Sequence, residues 1–187
     1  MPNLTTADGV LFYLEGTQFA ATNVQLITGG HSAFTYRITL RTPPPTGESS
    51  IILKHAQGYV AVYEPMKIEA ERAVYEYEAL AVVSNSGLFD SNSTVQTPRP
   101  LHFDPETNAI FMTDLGAVKT LTKVFTDSLE GVHDGDNSES KLKTACDLAS
   151  AAGSALGDFV GRFHNWSSLP EQAALSKRFA QNIAATK

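Results

Sequence analysis

The chain has 187 residues, of which 14 are Lys or Arg and 20 are Asp or Glu, and its net charge is −6 at pH 7. This length fits one domain, or one domain and part of a second. The acidic balance argues against a nucleic-acid partner, because such binding needs clustered Lys and Arg. The single cysteine, Cys146, excludes an internal disulfide, and we expect it in the core. The sequence has no basic leader and no long apolar run, so we expect a cytoplasmic protein that does not bind membranes.

The first part of the chain predicts one helix and three strands. Capping residues in Thr-Thr-Ala-Asp predict a short helix over Thr5–Glu15. Apolar and β-branched runs predict strands over Val24–Thr28, Phe34–Thr42 and Ser50–His55. The proline-rich segment Pro43–Ser50 predicts the turn before the third strand. We expect the three strands to form an antiparallel meander.

A helix and a hairpin are predicted next. The segment Met66–Val83 is rich in helix formers and follows Pro65, which is favoured at the start of a helix. The stretch VQTPRPLHFDPETNAIFMTDLG predicts two strands around the turn Asp104–Asn108. The order so far is therefore three strands, a helix and two strands.

The remaining residues predict helices. The polar segment Thr126–Lys141 predicts a loop, Leu142–His164 predicts a long amphipathic helix, and a last helix is expected from Pro170 to Lys187. The long helix carries an apolar stripe of Leu148, Ala152, Leu156, Phe159 and Phe163. If this stripe is partly uncovered, it offers a surface to a protein partner.

A few residues of the first half suit phosphate binding by their type and order. Gly29 and Gly30 follow the first strand, and glycines let backbone N–H groups approach phosphates closely. Lys54 lies inside the third strand, where a lysine is costly to bury without a partner. It either meets a phosphate and Glu76 of the next helix, or protects an edge strand by pointing to solvent. Glu76 also has a second possible partner, Arg72, one helical turn before it.

Five stretches in this order resemble the aminoglycoside phosphotransferase family of small-molecule kinases, and within it the methylthioribose kinases. The stretches are GGHSAFTYRI, IILKHAQGYV, RAVYEYEAL, TPRPLHFDPETNAIFMTDL and ALGDFVGRFHNW. The resemblance implies a protein-kinase-like fold and ATP as cofactor. It also implies that Gly29 and Gly30 form the phosphate loop, that Lys54 binds the phosphates, and that Glu76 orients Lys54. Met112, Thr113 and Leu115 would then line the adenine site.

The sequence departs from the family pattern at several positions. His31 and Ala33 stand where the related loop tends to carry Asn, and Thr113 stands where the family often has Glu. The family also needs a catalytic aspartate, a metal-binding asparagine and a second metal-binding aspartate. We assign none of these roles within the 187 residues, so we expect Mg²⁺ in a complete family member only.

Two short motifs resemble the catalytic loop and the metal-binding motif of the family. The sequence HDGDN, His133–Asn137, resembles a catalytic loop, but it lies in a polar segment and lacks the spaced asparagine. The sequence DFVG, Asp158–Gly161, resembles a metal-binding Asp-Phe-Gly but falls within the long amphipathic helix. We interpret the first as a linker and the second as core packing.

The expected fold is α+β, with a five-stranded antiparallel small lobe and one helix over residues 1–117, and the first helices of an incomplete large lobe over 118–187. The expected function is nucleotide binding within an ATP-dependent phosphotransferase that acts on a small hydroxyl-bearing substrate, without turnover by this chain alone. The alternative is a non-catalytic module that senses nucleotide or docks a protein partner.

Overall fold

The computed structural model describes residues 2–45, 47–89, 93–130 and 138–182. Within them the chain is an α+β protein. The helices are α1 (Ala7–Leu14), α2 (Arg72–Ser84), α3 (Leu121–Leu129), α4 (Ser138–Ser167) and α5 (Ala173–Phe179), with a 3₁₀ turn at Pro170–Gln172. The strands are β1 (Ala21–Leu26), β2 (Phe34–Leu40), β3 (Ser50–His55), β4 (Tyr59–Val60), β5 (Tyr63–Lys67), β6 (Pro100–Asp104) and β7 (Ala109–Thr113).

Five of the strands form one antiparallel sheet in the order β1-β2-β3-β7-β6. This confirms the predicted meander and the predicted five-stranded antiparallel sheet. Strand β3 lies in the middle, where Lys54 pairs with Thr35 of β2 on one side and with Ile110 of β7 on the other. Because β3 has a neighbour on both sides, the hypothesis that Lys54 protects an edge strand is wrong.

The two faces of the sheet are covered differently. On one face α1 packs against the sheet, and the core there contains fully buried side chains from α1, β2, β3 and β7: Val10, Leu14, Tyr36, Ile38, Leu53 and Phe111. On the other face α2 covers a smaller cluster formed by Ala56, Ala73, Ile110 and Met112. Successive residues of a strand point to opposite faces, so Lys54 lies on the face of α2, beside core residue Leu53.

The predicted helix over Met66–Val83 is wrong at its beginning. Helix α2 begins at Arg72, and the preceding residues Tyr63–Lys67 form β5, which pairs with β4 in a two-stranded sheet. Pro65 lies in this short strand, where a missing N–H is tolerated because the strand has one neighbour. All five residues of β5 are exposed, so the strand carries no apolar alternation that a sequence pattern could detect.

The chain divides into two compact units. The first contains the described parts of residues 1–87, 97–114 and 174–187, and the second those of residues 88–96 and 115–173. In the second unit, Thr120 caps α3 by accepting a hydrogen bond from the backbone N–H of Lys123. The predicted loop Thr126–Lys141 is therefore wrong at both ends, because α3 extends to Leu129 and α4 already begins at Ser138. Residues 131–137, which include His133–Asn137, lie outside the described residues.

Helix α4 corrects one expectation about an individual side chain and shows how far the apolar stripe is covered. Cys146 is exposed and the neighbouring Ala145 is buried, so the predicted core position of the cysteine is wrong by one residue. Leu156 is 42% exposed, whereas Leu148, Phe159 and Phe163 are partly buried. Asp158–Gly161 lies within α4, as expected for the Asp-Phe-Gly imitation.

The end of the described chain is less helical than predicted. Helix α5 ends at Phe179 rather than continuing toward Lys187, and residues 183–187 lie outside the described residues. No helix among the described residues is both long enough and apolar enough to cross a membrane.

Candidate functional site

The structure brings Lys54 and Glu76 together. Lys54 Nζ lies 2.5 Å from Glu76 Oε1, and this contact joins the last part of β3 to the second turn of α2. The two side chains are 30% and 37% exposed, and a pair this exposed contributes at most about 1 kcal/mol to stability. A lysine ammonium has three donors, and Glu76 is its partner among the described residues. Two donors of Lys54 are therefore available to a ligand.

The loop between β1 and β2 carries the two predicted glycines. Gly29 has φ +106°, a backbone conformation that residues other than glycine rarely adopt. A Cβ atom built on Gly29 or Gly30 would meet no other atom within 4 Å, so both positions border open space. The loop can therefore accept a ligand close to its backbone.

Two hydrogen bonds attach this loop to other parts of the first unit. The N–H of Val62, in the turn between β4 and β5, donates to the carbonyl of His31 at 3.3 Å. Arg72 Nη2 donates to the carbonyl of Ser32 at 2.5 Å. Neither contact was expected from the sequence, because backbone carbonyls are present at every residue and leave no residue-type signal.

Arg72 makes two further contacts of the same kind. Its Nη1 donates to the carbonyls of Gln57 at 3.0 Å and Glu69 at 2.6 Å. Burial lowers the pKa of the guanidinium, and the nearby charge of Glu76 opposes that shift. The hydrogen bonds of Arg72 go to carbonyls, and the carboxylate of Glu76 contacts Lys54. The sequence-based alternative, a solvated pair of Arg72 and Glu76, therefore misses the main contacts of both side chains.

The residues at the end of β7 occupy different environments. Met112 is only 6% exposed and packs in the cluster under α2. Thr113 is fixed to the segment before β6, because its N–H donates to the carbonyl of Arg99 at 2.9 Å and its Oγ1 accepts from the N–H of Arg99 at 2.9 Å. This N–H is therefore already paired within the protein and is not available to a ligand. Leu115 is 49% exposed and belongs to the second unit.

Asp114 is a residue of this segment that the sequence interpretation missed. Its carboxylate accepts hydrogen bonds from Arg37 Nε at 2.6 Å, Arg37 Nη2 at 3.1 Å and Ser50 Oγ at 2.8 Å. The Asp114 side chain is only 6% exposed. The hydrogen bonds that Arg37 donates to Asp114 raise the pKa of Arg37. Asp114 thus fixes the end of β7 to the strands β2 and β3.

His55 adds a buried polar group directly after Lys54. The residue is 5% exposed, and its Nδ1 lies 2.7 Å from the carbonyl of Thr107 while its Nε2 lies 2.6 Å from Gln57 Nε2. A carbonyl only accepts hydrogen bonds, so the proton is on Nδ1, and Nε2 accepts from the amide of Gln57. Burial lowers the pKa of His55, which keeps the ring neutral.

The described residues contain no group of three or more His, Cys, Asp or Glu side chains that could hold a metal ion. The chemistry that they do offer is a lysine ammonium paired with a carboxylate, and an open glycine loop that leads into β2, the strand paired with that of the lysine. This arrangement suits an anionic ligand such as a phosphate chain.

Comparison with known proteins gives the chemical class of the relatives. No protein-family model matches the chain. Over 168 residues the chain is 37% identical to a 4-hydroxytryptamine kinase of Psilocybe cyanescens and 36% identical to a 4-hydroxytryptamine kinase of Psilocybe cubensis. Both alignments cover 87% of this chain, and they cover 43% and 42% of the two relatives.

A third relative belongs to the same broad class. The chain is 25% identical over 170 residues to the phosphotransferase FrzJ of a Cladobotryum species, which covers 84% of this chain and 41% of the relative. These relatives support a small-molecule kinase or phosphotransferase family. The chain spans about two fifths of the length of the curated relatives it matches.

Proposed function

We propose that this chain is the nucleotide-binding part of an ATP-dependent small-molecule phosphotransferase of the aminoglycoside phosphotransferase family, with its nearest resemblance to the methylthioribose kinases. Residues 1–117 would form a kinase-like small lobe, and residues 118–187 the start of a helical large lobe. The single observation that carries the proposal is the contact of Lys54 with Glu76 at the centre of the sheet. The names of the relatives and the order of the five strands and α2 support it.

Each residue of the site has a role in this proposal. The backbone at Gly29 and Gly30 approaches the phosphates, and the ammonium of Lys54 donates to their oxygens. Glu76 holds the ammonium in place before the ligand arrives. Met112, Thr113 and Leu115 lie along the segment that borders the adenine.

ATP supplies the phosphoryl group, and Mg²⁺ neutralises charge on the phosphates in a complete family member. The described residues fit the phosphate chain through Lys54 and the open loop, whereas we assign no metal ligand among them. We therefore propose that the chain alone binds nucleotide without turnover. In a longer protein the acceptor would be a small molecule with a hydroxyl group, and 4-hydroxytryptamine is the first to test because two relatives are named for it.

Calorimetric titration with ATP tests the proposal. Lys54→Ala should weaken binding at least tenfold, which corresponds to about 1.4 kcal/mol, because it removes the cation that meets the phosphates. Lys143→Ala is the matched control, since that lysine lies on the exposed surface of α4 and pairs there with Asp147. Equal affinity of the Lys54 variant and the control would contradict the role of Lys54.

A second candidate function is a non-catalytic module that senses nucleotide or docks a protein partner. Leu156 and Val160 favour it, because they are 42% and 44% exposed and lie four residues apart on α4, and neighbouring exposed apolar side chains form a patch that suits a partner. Tight ATP binding with no phosphoryl transfer to 4-hydroxytryptamine by the full-length protein would favour this module over the kinase.

A further inference from the structure

Arg72 joins three segments of the first unit through their backbones. As the first residue of α2, it donates to Ser32 of the glycine loop at 2.5 Å, to Gln57 beyond the end of β3 at 3.0 Å, and to Glu69 before the helix at 2.6 Å. All three acceptors are carbonyl oxygens. The interaction therefore depends on the path of the backbone and does not involve the side chains of Ser32, Gln57 or Glu69.

An arginine is suited to this task and a lysine is not. The guanidinium has five N–H donors in one plane, so it reaches several acceptors at fixed angles. Lysine has one flexible ammonium that cannot span the same three carbonyls. Arg72 is half-buried, and this burial lowers the pKa of its guanidinium.

The contact changes which groups of the loop remain for a ligand. The carbonyls of His31 and Ser32 are both occupied, by the N–H of Val62 and by Arg72. Within the described residues, the backbone N–H groups of Gly29, Gly30, His31 and Ser32 donate no hydrogen bond. The loop thus presents N–H donors without partners, while the protein holds two of its carbonyls, those of His31 and Ser32, and this polarity suits an anion.

Arg72 and Glu76 are four residues apart on α2, so they lie on the same side of the helix. One helix turn thereby holds both parts of the phosphate site: Arg72 holds the loop and Glu76 holds Lys54. We propose that Arg72 is a positioning residue that fixes the Gly29–Ala33 loop relative to Lys54, so that loop and lysine meet the same phosphate chain. The ligand part of this inference rests on the proposed function.

The test compares Arg72→Lys with Arg41→Lys. Arg41 is a matched control, because its guanidinium pairs with Glu15 on the same unit and contacts no part of the loop. Backbone order parameters of residues 29–33, measured by NMR relaxation without nucleotide, should fall below about 0.6 in the Arg72 variant and stay unchanged in the control. ATP should bind at least tenfold more weakly to the Arg72 variant, with near-native circular dichroism.

The outcomes separate this inference from the proposed function. Unchanged order parameters over residues 29–33 overturn the inference, whatever happens to affinity. Lower order parameters with unchanged ATP affinity overturn the positioning role and leave nucleotide binding intact. If the native chain binds no ATP, the proposed function fails, and the order parameters alone decide whether Arg72 holds the loop. Arg72→Gln keeps two donors without the charge and serves as the second variant if Arg72→Lys does not fold.

Discussion

The two faces of the central sheet have opposite chemistry. The face under α1 is closed and apolar, with Tyr36, Ile38 and Leu53 fully buried. The face under α2 holds a smaller apolar cluster and the charged groups of Lys54 and Glu76. Adjacent residues of β3 thus have different roles, because Leu53 packs in the core and Lys54 pairs with Glu76. The comparison teaches that one face stabilises the sheet, so that the other can carry partly exposed charges that contribute little to stability.

The largest expected effect is on the apolar face. Leu53→Ala should lower the free energy of unfolding by about 2–5 kcal/mol, because it removes buried methyl groups and leaves a cavity. Urea denaturation measures the change. Leu26→Ala, on a side chain that is 48% exposed on the edge strand β1, is the control and should change stability by less than about 0.5 kcal/mol. Similar losses for the two variants would contradict the difference between core and surface.

A smaller effect is expected where β7 ends. Asp114→Asn should lower the free energy of unfolding by about 1–3 kcal/mol, because Arg37 loses its charged partner in a largely buried contact. Glu15→Gln is a matched control, since its partner Arg41 and Glu15 itself are both more than half exposed and the pair is worth at most about 1 kcal/mol. Chemical denaturation at neutral pH compares the variants, and equal losses would show that the burial of Asp114 has no consequence.

The smallest effect is a pH dependence from His55. Its folded-state pKa is lowered by burial below the usual value of 6.5, so the unfolded chain binds the proton more readily. Stability is therefore complete above pH 6.5 and falls as the pH drops from 6.5 toward the lowered pKa. His55→Gln should flatten this part of the profile, measured as melting temperature between pH 7.5 and 5.

The lower limit of pH 5 keeps most carboxylates ionised, so the difference between the two profiles reports the histidine. A variant whose profile runs parallel to that of the native chain would show that His55 does not titrate in this range.

Much of the sheet could be predicted because its strands alternate or are wholly apolar. Strand β3 has the predicted bounds, and the hairpin of β6 and β7 turns at the predicted residues. The hairpin of β4 and β5 was missed because β5 is exposed along its whole length and so shows no periodicity. Helix α3 was missed although Leu121, Val124, Phe125 and Leu129 recur at helical spacing, because the polar residues that follow from Thr126 are typical of a loop.

For the candidate site, residue types predicted one contact and could not predict two others. A lysine in a strand followed by a glutamate in a helix indicates a pair, and the structure brings Lys54 and Glu76 together. Arg72 bonds to carbonyls up to 40 residues away, and Asp114 bonds to Arg37, 77 residues away. Such contacts depend on the register of the sheet and the path of the loops, and a local sequence motif predicts neither.

The two glycines of the loop differ in what constrains them. Gly29 needs its positive φ, so the backbone itself excludes other residues there. Gly30 has no positive φ and a Cβ atom would find open space, so the fold accepts a side chain at this position. In a selection for activity, tolerance at position 30 would therefore measure how closely the ligand approaches the backbone, whereas tolerance at position 29 would measure folding. A comparison of the substitutions accepted at positions 29 and 30 would thus separate the requirements of folding from those of ligand binding.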